Sequence, residues 1–131
     1  MIIDTSALIA ILHSEPDAAS FADAMRDAPS RSISAVSYVE AGSVIDRRGD
    51  AIARRRLDEL LRETETTIEP TSENQARIAR AAYRDFGKGS GHPAKLNLGD
   101  CFAYALAKAK REPLLFKGKD FALTDIKVAS R

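Results

Sequence analysis

Short apolar runs alternate with amphipathic stretches along the whole of this chain. Met1-Ile-Ile3 is stopped at once by Asp4, so residues 1–4 read as a strand and the mostly apolar residues 5–12 as a short helix. Ser14-Glu-Pro16 is a helix-start signal with proline near the first helical position, and Ala18, Phe21, Ala22 and Met25 follow at helical spacing. Ile33 belongs to a second strand, and Ser34 or Ser37 can cap a helix running to about Arg48. After the break at Gly49-Asp50, Ile52, Leu57, Leu60 and Leu61 form one face of a fourth helix. Residues 66–69 are a weak third strand stopped by Pro70. Ser72 starts a helix with Ile78, Ala79, Ala82, Tyr83 and Phe86 inward, ended by Gly87. The segment 87–95 is the one long flexible loop. A helix opening at Asp100, a strand around Leu114 and a last short strand at 126–129 complete the pattern.

Strands alternating with helices predict an α/β fold, a parallel sheet covered on both faces. The 131 residues carry no repeat or linker and predict a single domain, 1–131. Twenty basic side chains against 19 acidic ones leave a formal net charge of +1, so bulk charge gives no footprint of a nucleic-acid binder. The lone Cys101 excludes an internal disulfide and any paired-cysteine zinc or redox motif. Asp4 interrupts the apolar start too early for a signal peptide, and no run approaches membrane-spanning length. A cytoplasmic protein with no membrane partner is expected.

The candidate chemistry lies in four acids, each where a strand-like run ends or a helix-like run begins. These are Asp4, Glu40, Asp100 and Asp120. In open α/β sheets ligands bind outside the carboxyl ends of the strands, so acids remote in sequence can meet in one cleft. Each has a plainer reading. Asp4 and Asp100 can cap helices, Glu40 can complete a capping box with Ser37, and Asp120 can be a turn residue. Yet Glu40 shares a helical face with Val36 and Val44, where an uncompensated carboxylate is costly. Converging acids repel one another unless they share protons or hold a hard cation. Mg²⁺ or Mn²⁺ chemistry on phosphate is therefore the leading expectation, with an ion lowering the pKa of a water to make a nucleophile. His13 and His92 do not pair and read as solvated.

The chain resembles the PIN-domain nucleases, specifically the VapC-type toxins of toxin–antitoxin pairs. The resemblance covers essentially its whole length. It rests on Ile2-Ile-Asp-Thr-Ser-Ala7, Ser34-Ala-Val-Ser-Tyr-Val-Glu-Ala41, Leu96-Asn-Leu-Gly-Asp-Cys-Phe-Ala-Tyr-Ala105 and Pro113-Leu-Leu-Phe-Lys-Gly-Lys-Asp-Phe121, in that order and spacing. It implies a three-layer α/β/α fold around a parallel five-stranded sheet. It further implies a Mg²⁺- or Mn²⁺-dependent endoribonuclease, a homodimer, and inhibition by a VapB-like antitoxin whose C-terminal segment covers the active-site groove. The family's acids fall on Asp4, Glu40 and Asp100, with Asp120 fourth. The family often has Thr, Asn or Asp shortly before that fourth acid, where this chain has Phe116, Lys117 and Gly118, so Asp125 is held as the reserve. The family's hydroxyl falls on Thr5 or Ser6, Ser6 being preferred, and Asn97 is a supporting position.

Lys117, Lys119, Lys88 and Lys95 are candidates to meet the RNA backbone, whereas Arg54, Arg55 and Arg56 read as a solvated face. The alternatives are a DNA- or structure-specific nuclease of the same fold, or a binding module without turnover. A phosphoaspartate protein fits less well, because Ser6 stands where a dehalogenase-like phosphatase has its second acid.

Overall fold

The computed structural model describes residues 1–131, in which six α-helices surround a sheet of four strands. In chain order these are β1 (Ile2–Ile3), α1 (Thr5–Leu12), α2 (Ala18–Asp27), β2 (Ser32–Ser34), α3 (Ala35–Arg47) and α4 (Ala51–Glu63). There follow β3 (Thr67–Glu69), α5 (Glu73–Phe86), α6 (Leu98–Lys110), β4 (Leu114–Leu115) and a short 3-10 turn at Phe121–Leu123. The sheet is parallel throughout, in the order β3-β2-β1-β4. The chain moves outward from β1 through β2 to β3, then returns to the other side of β1. That reversal makes the carboxyl ends of β1 and β4 the switch point of the sheet, the place where open α/β sheets take their ligands.

The two-residue side-chain period of a strand sorts the core into two layers. Ile2 pairs with Leu114, and both face the cluster formed with α5 and α6. Ile3 pairs with Leu115, and these join Ile33 in the cluster formed with α1, α2, α3 and α4. Both faces are thus covered, as a parallel sheet requires. No helix is long and apolar enough to cross a membrane.

Helix starts follow local side-chain chemistry. Asp4, Ser34, Asp50, Ser72 and Asn97 cap α1, α3, α4, α5 and α6 by accepting backbone N–H bonds. The structure departs from the sequence pattern in several places. The helix expected from Pro16 begins at Ala18, because Ser14 adopts a left-handed φ of 52° and the next residues form a turn. The buried stripe of α4 is Ala53, Leu57 and Leu61, which leaves Ile52, a step round the helix, 69% exposed. Tyr83 lies at the exposed edge of α5 rather than inside it.

Lastly, the sheet has four strands, not five. The segment expected as the fifth makes one parallel bridge, Leu114 with Val128, through Leu114 N–H to Lys127 O (2.8 Å) and Ala129 N–H to Leu114 O (3.0 Å). β4 offers only two residues, and the turn at 124–126 uses up chain that a longer strand would need.

Candidate active site

Asp4 sits at the carboxyl end of β1, its own N–H bonded to Leu115 O of β4 (2.9 Å), and it is almost fully buried. Its Oδ2 accepts from both Ser6 N–H (3.0 Å) and Ser6 Oγ (2.6 Å). Those bonds favour the carboxylate, but burial dominates and raises its pKa above the ordinary value. Ser6 Oγ in turn accepts from the Lys117 N–H (2.9 Å), so one hydroxyl ties Asp4 to the turn after β4. Thr5 points elsewhere and donates to Ser37 O on α3 (2.9 Å). Of the two hydroxyls expected after the first acid, Ser6 is the one that holds it.

Glu40 projects from the second turn of α3. Its capping reading fails on geometry, since Ser34 caps the helix through the Val36 N–H (3.2 Å) and Ser37 is buried with its Oγ unpartnered. Burial, then the charges of Asp4 and Asp100, push the Glu40 carboxyl up to about 7. Gly99, in the first turn of α6, makes room for this side chain. A Cβ built there would collide with the Glu40 carboxylate. The carboxylate therefore lies directly on the amino end of α6.

Asp100 is both a cap and a member of the cluster. With Asn97 it forms a capping box, Asp100 N–H to Asn97 Oδ1 (2.7 Å) and Asn97 N–H to Asp100 Oδ2 (2.9 Å). Burial raises it most. The Asn97 amide and Lys88 oppose that, Asp4 and Asp120 add to it, and the carboxyl stands at about 6. Asp120, exposed just before the 3-10 turn, thus reaches the group through Asp100. Asp125 is engaged elsewhere. It accepts from Tyr104 Oη (2.5 Å) and pairs with Lys108 Nζ (3.0 Å), and those contacts, Tyr104 first, hold its carboxyl below the usual range.

The expected lysines divide. Lys117 Nζ bridges Glu15 (3.0 Å) and Asp17 (3.1 Å), a clamp on the turn carrying Asp120 and a poor candidate for a free RNA contact. Lys88, Lys95 and Lys119 are exposed and take part in no ion pair. Gly99 was not singled out by the pattern, although a glycine in the first turn of a helix beside an acid is an available signal. The Glu15–Asp17–Lys117 clamp spans about a hundred positions of sequence and has no local signature.

Four oxygen-bearing side chains, with neither histidine nor cysteine among them, fit a hard divalent cation. The upward shifts of Asp4, Glu40 and Asp100 fit it too: burial disfavours the charged form of each, and at Glu40 and Asp100 neighbouring acids add to that, a cost that a bound cation would offset. No three acidic, histidine or cysteine side chains close into a ready-made cage. An open arrangement suits Mg²⁺, which keeps several waters and takes one or two carboxylates directly.

The PIN-domain family model matches residues 1–127. Ribonuclease VapC28 of Mycobacterium tuberculosis is 58% identical over 129 residues, covering 98% of this chain and 97% of its own. Among solved structures, VapC20 of the same organism, described as a sarcin–ricin-loop-cleaving toxin, superposes with a TM-score of 0.77 at 16% identity, over 99% of this chain and 98% of that one. A toxin–antitoxin complex from Klebsiella pneumoniae gives 0.70 at 23%, over 92% and 89%. The two structural likenesses establish the fold, and the family match and sequence identity establish the lineage. This chain belongs to the PIN-domain family, on its VapC ribonuclease branch.

Proposed function

We propose that this protein is the toxin of a toxin–antitoxin pair, a Mg²⁺- or Mn²⁺-dependent endoribonuclease. The observation that carries the reading is the convergence of acids at the carboxyl ends of β1 and β4, with Glu40 lying against the amino end of α6 beside Asp100 and both carboxyls raised by burial and by neighbouring acids. Asp4, Glu40 and Asp100 are the cation-holding residues, and Asp120 completes them at the rim. When bound, the cation supplies Lewis-acid chemistry, acidifying a water and offsetting charge on the scissile phosphate. The chain's own part is positional. Ser6 fixes Asp4 through Oδ2, Asn97 fixes Asp100, and Gly99 lets Glu40 lie against α6. In-line hydrolysis of this kind leaves a 5′-phosphate and a 3′-hydroxyl.

The partners in this reading are RNA, a VapB-like antitoxin and a second copy of the chain. Solved neighbours that are toxin–antitoxin complexes support the antitoxin. The test compares matched RNA and DNA strands with Mg²⁺, with Mn²⁺ and with chelator. Cleavage of RNA alone, abolished by chelator, is expected. Equal cleavage of both strands would favour the DNA- or structure-specific alternative, and no cleavage of either would favour a binding module.

A further inference from the structure

The loop 87–95 between α5 and α6 is not the flexible connection its glycines suggest. Lys88 N–H donates to Leu96 O (2.9 Å) and Leu96 N–H to Phe86 O (3.0 Å), closing the loop at its root. Ser90 Oγ donates to Gly87 O (2.6 Å) and accepts from the His92 N–H (3.1 Å). The His92 ring meets Phe86 edge-on at 4.9 Å, and Ala94 and Leu96 are fully buried beneath it. This rigid loop surrounds a concavity of about 400 Å³ lined by Lys88, Gly89, Gly91, His92 and Lys95, without one carboxylate.

Several of its donors meet no partner within the protein. The amides of Gly89 and Gly91 make no hydrogen bond, and both residues have positive φ with open space where a Cβ would be. Nδ1 of His92 accepts from the Ala94 N–H (3.0 Å), so the proton of the neutral ring is on Nε2. Lys88 and Lys95 are unpaired, whereas Lys108, Lys110 and Lys117 all meet acids. Charge is segregated as well. Residues 73–95 hold five Arg and Lys against two acids, in a chain whose net charge is only +1. The loop closes at Leu96, directly before Asn97, which forms the capping box of α6 with Asp100, so the concavity lies on the approach to the acid cluster.

Resting on the nuclease reading above, we infer that this loop is a phosphate-binding subsite for the RNA strand. It grips a backbone phosphate beside the scissile one with the Lys88 and Lys95 ammonium groups, the His92 Nε2–H and the free glycine amides. Backbone donors approached closely through glycine suit a compact tetrahedral oxyanion, and phosphate contacts fix the register of a strand without reading its bases. The subsite would set which phosphate lies over Asp4 and Asp100.

The test is fluorescence anisotropy of a short labelled single-stranded RNA with the full chain in chelator, so that nothing is cut, across about 50 to about 200 mM salt. Metal-dependent cleavage by the wild type is measured in parallel. Lys88→Gln with Lys95→Gln should weaken binding about tenfold or more and reduce the salt slope by about 0.7 for each lost contact. The paired Lys→Arg variant should retain most of the affinity. Lys127→Gln, the same charge change beside the opposite ends of β1 and β4, should bind like wild type. If wild type binds and cleaves but the double variant keeps its affinity and slope, the subsite is wrong, and the concavity is left to an acidic protein segment. If wild type shows no cleavage at all, the nuclease reading fails and takes the subsite with it.

Discussion

Glu40 and Asp100 carry a pH signature that needs no substrate to be seen. Their folded-state carboxyls stand at about 7 and about 6, above the ordinary values of 4.5 and 3.8, because burial and neighbouring acids disfavour the charged form. Between the unfolded and folded values the native state binds more protons than the unfolded state, so stability falls as pH rises. Without divalent metal, urea unfolding should show a more stable protein at about pH 5 than at about pH 8. Glu40→Gln should flatten that dependence and raise stability at the higher pH. A wild-type profile that instead climbed from acid to neutral pH would mean that a positive charge compensates the acids in the folded state. Gly99→Ala separates position from stability at the same spot. The new methyl meets only the far end of a flexible side chain, and alanine favours the helix by up to about 1 kcal/mol. Melting should therefore hold or improve, while cleavage drops because Glu40 is displaced. Wild-type turnover in this variant would show that the Glu40 carboxylate need not lie where it does.

At the scale of elements, one hydroxyl joins the two strands at the switch point. Ser6 Oγ binds Asp4 and accepts from the Lys117 amide, so Ser6→Ala unties the start of α1 from the turn after β4. Loss of a hydrogen bond to a buried charged group should lower stability by about 1–3 kcal/mol in chemical denaturation. It should also raise Asp4 further, since that bond is one that lowers it.

The positions of the elements were largely legible from residue pattern, because caps such as Ser72 and strand stops such as Pro70 act locally. What escaped has non-local causes. Ile52 is exposed because packing against α1 and α3 selects the stripe of Ala53, Leu57 and Leu61. The fifth strand shrank to a bridge because its neighbour β4 is two residues long. The acids were visible as a set because they recur at strand and helix ends. Asp120 was preferred to Asp125 from the sequence; the contacts of Tyr104 and Lys108 that engage the latter had no local signature.

For the whole molecule, small net charge conceals an uneven distribution, with basic residues gathered on α5 and the loop 87–95 and acids at the switch point. Exposed apolar side chains remain on α3, α4 and α6, among them Val39, Ile52 and Leu98. The first and third of these flank Glu40 and Gly99, where a covering partner would bury them. Light scattering of the isolated protein should give a dimer mass at micromolar concentration, and a strict monomer would count against self-association.

Whether Glu40 belongs to a cation-holding catalytic set or to the scaffold is decided by RNA cleavage by Glu40→Gln beside thermal melting, with and without Mg²⁺. The substitution nearly preserves shape and removes one charged oxygen. With Glu40 in the cation-holding set, the variant should be folded and at least as stable as wild type without metal, be stabilised less by added Mg²⁺, and cleave more slowly by a factor of order a hundred or more. A Glu40→Gln protein that cuts RNA at the wild-type rate with ordinary metal dependence would contradict that assignment.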